Sequence, residues 1–150
     1  MDAIDKKILG SLQEDARISN IALAVKVGLS PSACLRRVQA LEEKGIIMGY
    51  TALYDEKALG LGSQILVMVT LTGQGYDLLQ EFENSIQKIP NVLACYLMGG
   101  GYDYLIRIAV KDIEDYERLH KTHLTKLPFV ASLQSNFAMR EVVKRANPIL

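Results

Sequence analysis

Three groups of residues have types and spacings that suit chemistry. The segment Gly28-Leu29-Ser30-Pro31-Ser32-Ala33-Cys34-Leu35-Arg36-Arg37-Val38 sets short side chains beside two arginines, with Gln39 and Ala40 following. Arginine and glutamine carry donors that suit base edges and phosphates, and short side chains let a helix approach a groove closely. Gly99-Gly100-Gly101 followed by Tyr102-Asp103-Tyr104 joins a backbone open to close approach with an acid and two phenols. A plain hairpin turn is the simpler reading of the same glycines. His120 and His123 stand three apart, a spacing at which two imidazoles on one helix can share a metal. They also fall within the stripe Ile113, Tyr116, Leu119, Leu124 and Leu127, so packing histidines are expected and no metal or cofactor. No Ser/His/Asp or paired-carboxylate arrangement emerges, and the glycines lack the Lys-Ser/Thr of a phosphate-binding loop. An enzyme is therefore not expected. Cys34 and Cys95 occupy apolar positions far apart and fit no zinc spacing, which suits small buried hydrophobes in a reducing compartment, the cytoplasm.

The elements that must position these groups follow two rhythms. Residues 2–45 have a helical period. Ile4, Ile8 and Leu12 predict a first helix over Asp2 to Glu14, with Asp2 or Asp5 at its N-terminal dipole. Ser19 or Asn20 caps a short second helix that Gly28 closes. Ser30-Pro31 starts a third helix, which runs to about Lys44 and ends at Gly45. Only Gly28-Leu29 separates the second and third, which is the helix-turn-helix arrangement. At about 100° per residue, Cys34, Val38 and Leu41 face the core. Ser32, Ala33, Arg36, Gln39 and Ala40 take the opposite arc, with Arg37 at its flank. The simpler reading is that Arg36 and Arg37 are solvated charges paired with Glu42 or Glu43. Ile46 to Tyr54 has strand-forming residues and suits a short wing or an extended linker.

The second part reads strand (Gln64–Thr72), helix (Tyr76–Ile89), strand (Val92–Met98), strand (Tyr102–Val110), helix (from Asp112 to Lys126), strand (Val130–Arg140). This is the split βαβ, ferredoxin-like βαββαβ order, giving an α+β chain. Both faces of the strands are apolar: Ile65, Val67 and Val69 against Leu66 and Met68, and Val92, Ala94 and Tyr96 against Leu93, Cys95 and Leu97. Two helices cover only one face of such a sheet, so a homodimer built sheet against sheet is expected.

Composition narrows the classes further. Seventeen basic and 17 acidic residues give a net charge of zero, which argues against coating nucleic acid by bulk charge but not against a local basic face. Residues 1–50 carry a net charge of only about +1, so one copy should bind DNA weakly, and two copies would span half-sites about one helical turn apart. Hydrophobic residues make up 49% of the chain, enough for a packed core. No apolar run approaches the roughly 18 residues of a membrane span, and no secretory signal is visible.

The run from Asp5 through Asp55, with the Gly28–Val38 segment and Leu41-Glu42 and Gly45-Ile46-Ile47, resembles the DNA-binding domain of the Lrp/AsnC regulators. The second half is similar to that family's effector-binding, oligomerising domain. The resemblance implies a winged helix-turn-helix domain over 1–50, a linker over 51–62, and an effector-binding and oligomerisation domain over 63–150. It implies a regulator contacting double-stranded DNA through Ser30, Ser32, Ala33, Arg36, Arg37, Gln39 and Ala40. It also implies dimers, often assembled into rings such as octamers, with no membrane partner. A small effector, commonly an amino acid, would bind between dimers, near Gly99, Gly100, Gly101, Tyr102, Asp103 and Tyr104, with Ser135, Asn136 and Phe137 lining the same cleft. The family pattern in that loop is Gly-Asp-aromatic-Asp-Tyr, and here Gly101 stands in place of the first acid. That removes a partner for an effector ammonium, while the glycine backbone offers groups for a carboxylate. A ligand-independent architectural DNA-binding protein of the same fold is the alternative.

Overall fold

The computed structural model describes residues 1–144 and divides the chain into two compact units, one over Met1–Leu53 and one over Tyr54–Val142. Each is built from locally coded elements around its own core.

In the first unit, α1 (Ala3–Glu14) starts on a reciprocal cap. The Asp2 carboxylate accepts the N–H groups of Ile4 and Asp5, both at 2.9 Å, and Asp5 accepts the N–H of Asp2 at 3.0 Å. Three N–H groups that the helix start cannot pair internally are thereby satisfied at once. In α2 (Asn20–Val27) the Ser19 hydroxyl accepts the N–H of Ala22, and Gly28 ends the helix at φ 75°. Helix α3 (Pro31–Glu43) has Ser30 as its N-cap and Pro31 in its first turn, where the missing N–H costs nothing. The Asn20 side chain donates to the Pro31 carbonyl at 2.8 Å, tying the starts of α2 and α3 together. Ile8, Leu23, Ala24, Val27, Cys34 and Leu41 form the buried core, with Val38 packed against it. After α3, Gly45 at φ 66° reverses the chain, and the N–H groups of Ile46 and Ile47 both reach the Leu41 carbonyl. Residues 46–54 form no strand.

In the second unit, β1 (Ser63–Leu71), β2 (Val92–Leu97), β3 (Tyr104–Val110) and β4 (Val130–Phe137) form an antiparallel sheet in the order β2-β3-β1-β4. Helices α4 (Tyr76–Ile86) and α5 (Ile113–Thr122) pack Phe82, Ile86, Tyr116 and Leu119 onto Ile65, Val67, Val69, Tyr104, Ile106 and Ile108. On the other face Leu66, Met68 and Leu105 stay partly exposed and Tyr96 is exposed.

Four sequence expectations need correction. Helix α4 stops at Ile86 rather than Ile89, because Lys88 and Ile89 close tighter turns ahead of Pro90. Helix α5 breaks at His123, and residues Leu124–Lys126 continue as a 3₁₀ turn. The break leaves His123 exposed while Leu124 and Leu127 enter the core; at the other end of the helix Ile113 is also exposed, and His120 is half-buried with its ring 5.9 Å from that of Tyr116. Strand β2 does not alternate strictly. A register shift between Val92 and Ala94 puts Val92 and Cys95 together on the core, and Leu93 is exposed. Strand β4 ends at Phe137, not Arg140.

Candidate nucleic-acid interface and effector loop

Helix α3 presents its outward arc as its wheel suggests. Ser32, Arg36 and Gln39 are exposed, Ala33 and Ala40 are half-buried, and Ser30 is exposed at the cap. The arc also carries Leu35, which is 46% exposed. Arg36 is the outward cation of this arc. Arg37 is not presented in the same way. Its Nη1 lies 2.7 Å from Asp2 Oδ2 and 2.8 Å from Asp5 Oδ1, both on the start of α1. The expected alternative partners, Glu42 or Glu43, are thus replaced by acids more than thirty positions away in sequence. Both carboxyls are held below the ordinary aspartate range, first by the backbone N–H each accepts and then by Arg37. The guanidinium is correspondingly raised by its hydrogen bonds to Asp2 and Asp5. Glu42 instead accepts the Tyr50 hydroxyl at 2.9 Å. The sequence places Asp2 and Asp5 only at the N-terminal dipole of α1; their link to Arg37 depends on how α1 packs on α3.

The Gly99–Tyr104 segment splits into an open and a closed part. Gly99, Gly100 and Gly101 are exposed, and a Cβ at any of them would meet nothing within 4 Å. Tyr102 is half-buried. Asp103 is buried and fully engaged within the chain. Its Oδ2 accepts the Leu71 N–H at 2.8 Å, and its Oδ1 accepts the Gln74 side-chain amide at 2.7 Å. Its own N–H donates to Val69 O, and its carbonyl accepts from Met98 N–H, each at 2.8 Å. Tyr104 is only 1% exposed, stacks on Phe82, and donates its hydroxyl to Glu83 Oε1 at 2.8 Å. Burial and the Glu83 carboxylate push its phenol far above the ordinary range. Asp103 and Tyr104 are thus held by partners within the chain, whereas Gly99–Gly101 are open.

Ser135, Asn136 and Phe137 sit elsewhere on the sheet. They pair with Val67, Leu66 and Ile65, whereas Tyr104 pairs with Val69, whose β4 partner is Leu133. Ser135 hydrogen-bonds the Tyr116 hydroxyl, and the Phe137 ring meets Tyr116 edge-on at 5.5 Å, so both face α5. Asn136 points to the other side, toward the Leu66 and Gln134 carbonyls. Within one chain the structure does not bring this segment to the glycine loop. A cavity of about 640 Å³ lies between α4 and β2, bounded by Glu83, Ile86, Leu93, Cys95, Leu97 and Tyr104. Of the expected effector residues it shares only Tyr104. The Cys95 thiol on its wall is pushed up to about 11, by burial first and the Glu83 charge second. Among the described residues no three His, Cys, Asp or Glu side chains could hold a metal, and no helix is long and apolar enough to cross a membrane.

A capped helix-turn-helix followed by a separate βαββαβ unit defines a class: two-domain proteins that join a DNA-binding helix pair to a ferredoxin-like domain. Known proteins make the class specific. Residues 1–48 match the winged helix-turn-helix DNA-binding family, and residues 64–148 match the Lrp/AsnC ligand binding domain. The leucine-responsive regulatory protein of Haemophilus influenzae is 42% identical over 142 residues, covering 95% of this chain and 86% of that protein. That of Escherichia coli K12 is 39% identical over 150 residues, covering 100% and 91%. The crystal structure of an AsnC family transcriptional regulator from Agrobacterium tumefaciens is 34% identical with a TM-score of 0.94, covering 99% and 96%. A transcriptional regulator from Neisseria meningitidis, solved as a complex with L-methionine, is 34% identical with a TM-score of 0.92, covering 97% and 94%. The chain belongs to the Lrp/AsnC family of transcriptional regulators and is not an enzyme.

Proposed function

We propose that residues 1–50 read double-stranded DNA through α3, that 51–62 link the units, and that 63–150 bind an effector and assemble the oligomer. Ser30, Ser32, Ala33, Arg36, Gln39 and Ala40 form the reading surface. The observation that carries this is the exposed arc of Ser32, Arg36 and Gln39 on a helix whose opposite side is buried. Two copies, joined through the open faces of their sheets, place two α3 helices in successive major grooves. Further pairing into rings such as octamers extends the contact set. The protein works in the cytoplasm. The effector is an amino acid, in line with the L-methionine bound by the Neisseria relative. The exposed backbone of Gly99–Gly101 and Tyr102 receives it from one chain, and Ser135, Asn136 and Phe137 come from a neighbouring copy. Arg36→Ala should remove gel-shift binding to a selected operator while the sedimentation profile is kept. An undiminished shift would discard α3 as the reading helix.

A second reading, an architectural protein that wraps DNA without a ligand, is favoured by Gly101 and by the internal engagement of Asp103. Calorimetry against the common amino acids separates the two: saturable heat supports the effector reading, and none supports the architectural one.

A further inference from the structure

Arg37 stands at the flank of α3, from which an arginine could reach the DNA backbone. Its guanidinium is turned instead to two carboxylates at the start of α1. Those carboxylates are already engaged, although the Asp2 side chain is 52% exposed. Each already accepts the other residue's backbone N–H in the α1 cap, and the Asp5 side chain is only 16% exposed. The helix start thus fixes both acceptors before Arg37 arrives, and little side-chain entropy is lost in closing the cluster. One consequence is geometric. The middle of α3 is tied to the first turn of α1, which sets the rotation at which neighbouring Arg36 and Gln39 face outward. The other is electrostatic. Two carboxylates and one guanidinium leave the cluster net negative beside the helix that must meet phosphates. A phosphate taking Arg37 would have to displace two charge-assisted hydrogen bonds.

We infer that Asp2 and Asp5 withhold Arg37 from DNA, making Arg37 a positioning residue for α3 and the cluster a restraint on sequence-independent binding. The inference rests on α3 being the DNA-reading helix. It separates two adjacent arginines that sequence alone treats alike: Arg36 contacts DNA, and Arg37 orients the helix that carries Arg36.

Salt titration of the full chain on a fluorescent duplex of random sequence tests this, because each phosphate contact contributes about one to the slope of log affinity against log salt. A purely structural role does not move that slope. Four proteins are compared: wild type, Arg36→Gln, Arg37→Gln, and Asp2→Asn with Asp5→Asn. Asparagine keeps a carbonyl acceptor for each capping bond, so the paired variant removes charge and retains the helix start. Arg36→Gln should flatten the slope by about one, and Arg37→Gln should leave it unchanged. The paired asparagine variant should bind more tightly and steepen the slope by about one as Arg37 reaches phosphate. A slope flattened by Arg37→Gln, or unmoved by the asparagine pair, overturns the inference. An unmoved slope in Arg36→Gln rejects the reading of α3 itself, a separate failure. Thermal unfolding accompanies each titration, and if Arg37→Gln does not fold, the asparagine pair decides alone.

Discussion

Asp103 shows how a residue in a loop proposed to receive a ligand can still serve the fold. Its two oxygens face two donors, the Leu71 N–H and the Gln74 amide. Asp103→Leu has similar bulk and no acceptor, so it leaves a buried N–H unpaired at a cost of about 1–3 kcal/mol. Asp103→Asn should cost less, since its oxygen can serve Leu71 while the Gln74 amide flips to accept from the new NH₂. Urea unfolding should therefore rank wild type, Asn, Leu in falling stability, and equal midpoints for Asn and Leu would contradict the hydrogen-bond account. The Asp2–Asp5–Arg37 cluster makes a prediction in pH. Carboxyls with depressed values stabilise the fold above their unfolded value, and that stabilisation is lost as pH falls through the folded one. Below about pH 4 the wild type should lose its advantage over the paired asparagine variant. The difference between the two proteins removes the similar contributions of Asp115 and Glu117, which are also depressed. Thermal midpoints that stay a constant distance apart down to acid pH would refute it.

Elements show what the sequence announces and what it hides. The ends of α2 and α3 were legible because caps act locally: Ser19, Gly28, Ser30 and Pro31 each do their work within four residues. Gly28 holds φ 75° in a two-residue link, and a Cβ there would meet no neighbour. The cost of Gly28→Ala is therefore the backbone's alone, about 1 kcal/mol or slightly more. Ser30→Ala should cost about 1 kcal/mol through the lost cap at α3. Calorimetric melts of the two variants check both figures. The order of strands and helices in the second unit was likewise legible, because apolar runs and glycines mark it. The irregularities were not. The register shift in β2 depends on its pairing with β3, and the break at His123 depends on Leu124 and Leu127 entering the core. The candidate site divides along the same line. The outward arc of α3 follows from helical period, whereas the partners of Arg37 and the internal bonds of Asp103 arise from packing between distant segments.

At the scale of the whole molecule, a net charge of zero leaves DNA binding to geometry and to the number of copies. The sheet's open face is where copies should join, and Arg107 makes that testable. It pairs with Leu66 on one side and Ala94 on the other, so it projects among apolar neighbours. Its Nε is already buried without a hydrogen-bond partner among the described residues. A second sheet laid on this face would remove more of the guanidinium from water, and desolvating a charge is expensive unless good acceptors compensate. Beside Arg107 on that face Leu66, Met68, Leu105 and Ala109 are neutral, and the Glu56 carboxylate at the edge already accepts the Gln64 side-chain amide at 2.9 Å. Arg107→Met, close in length and apolar, should therefore tighten self-association, whereas Met68→Lys adds a second buried charge and should weaken it. Sedimentation velocity across a dilution series reads both. If Met68→Lys dissociates at the same concentration as wild type, the copies do not meet through this face. If it dissociates earlier while Arg107→Met also weakens association, the sheets do meet and Arg107 finds its acceptor on the opposite copy.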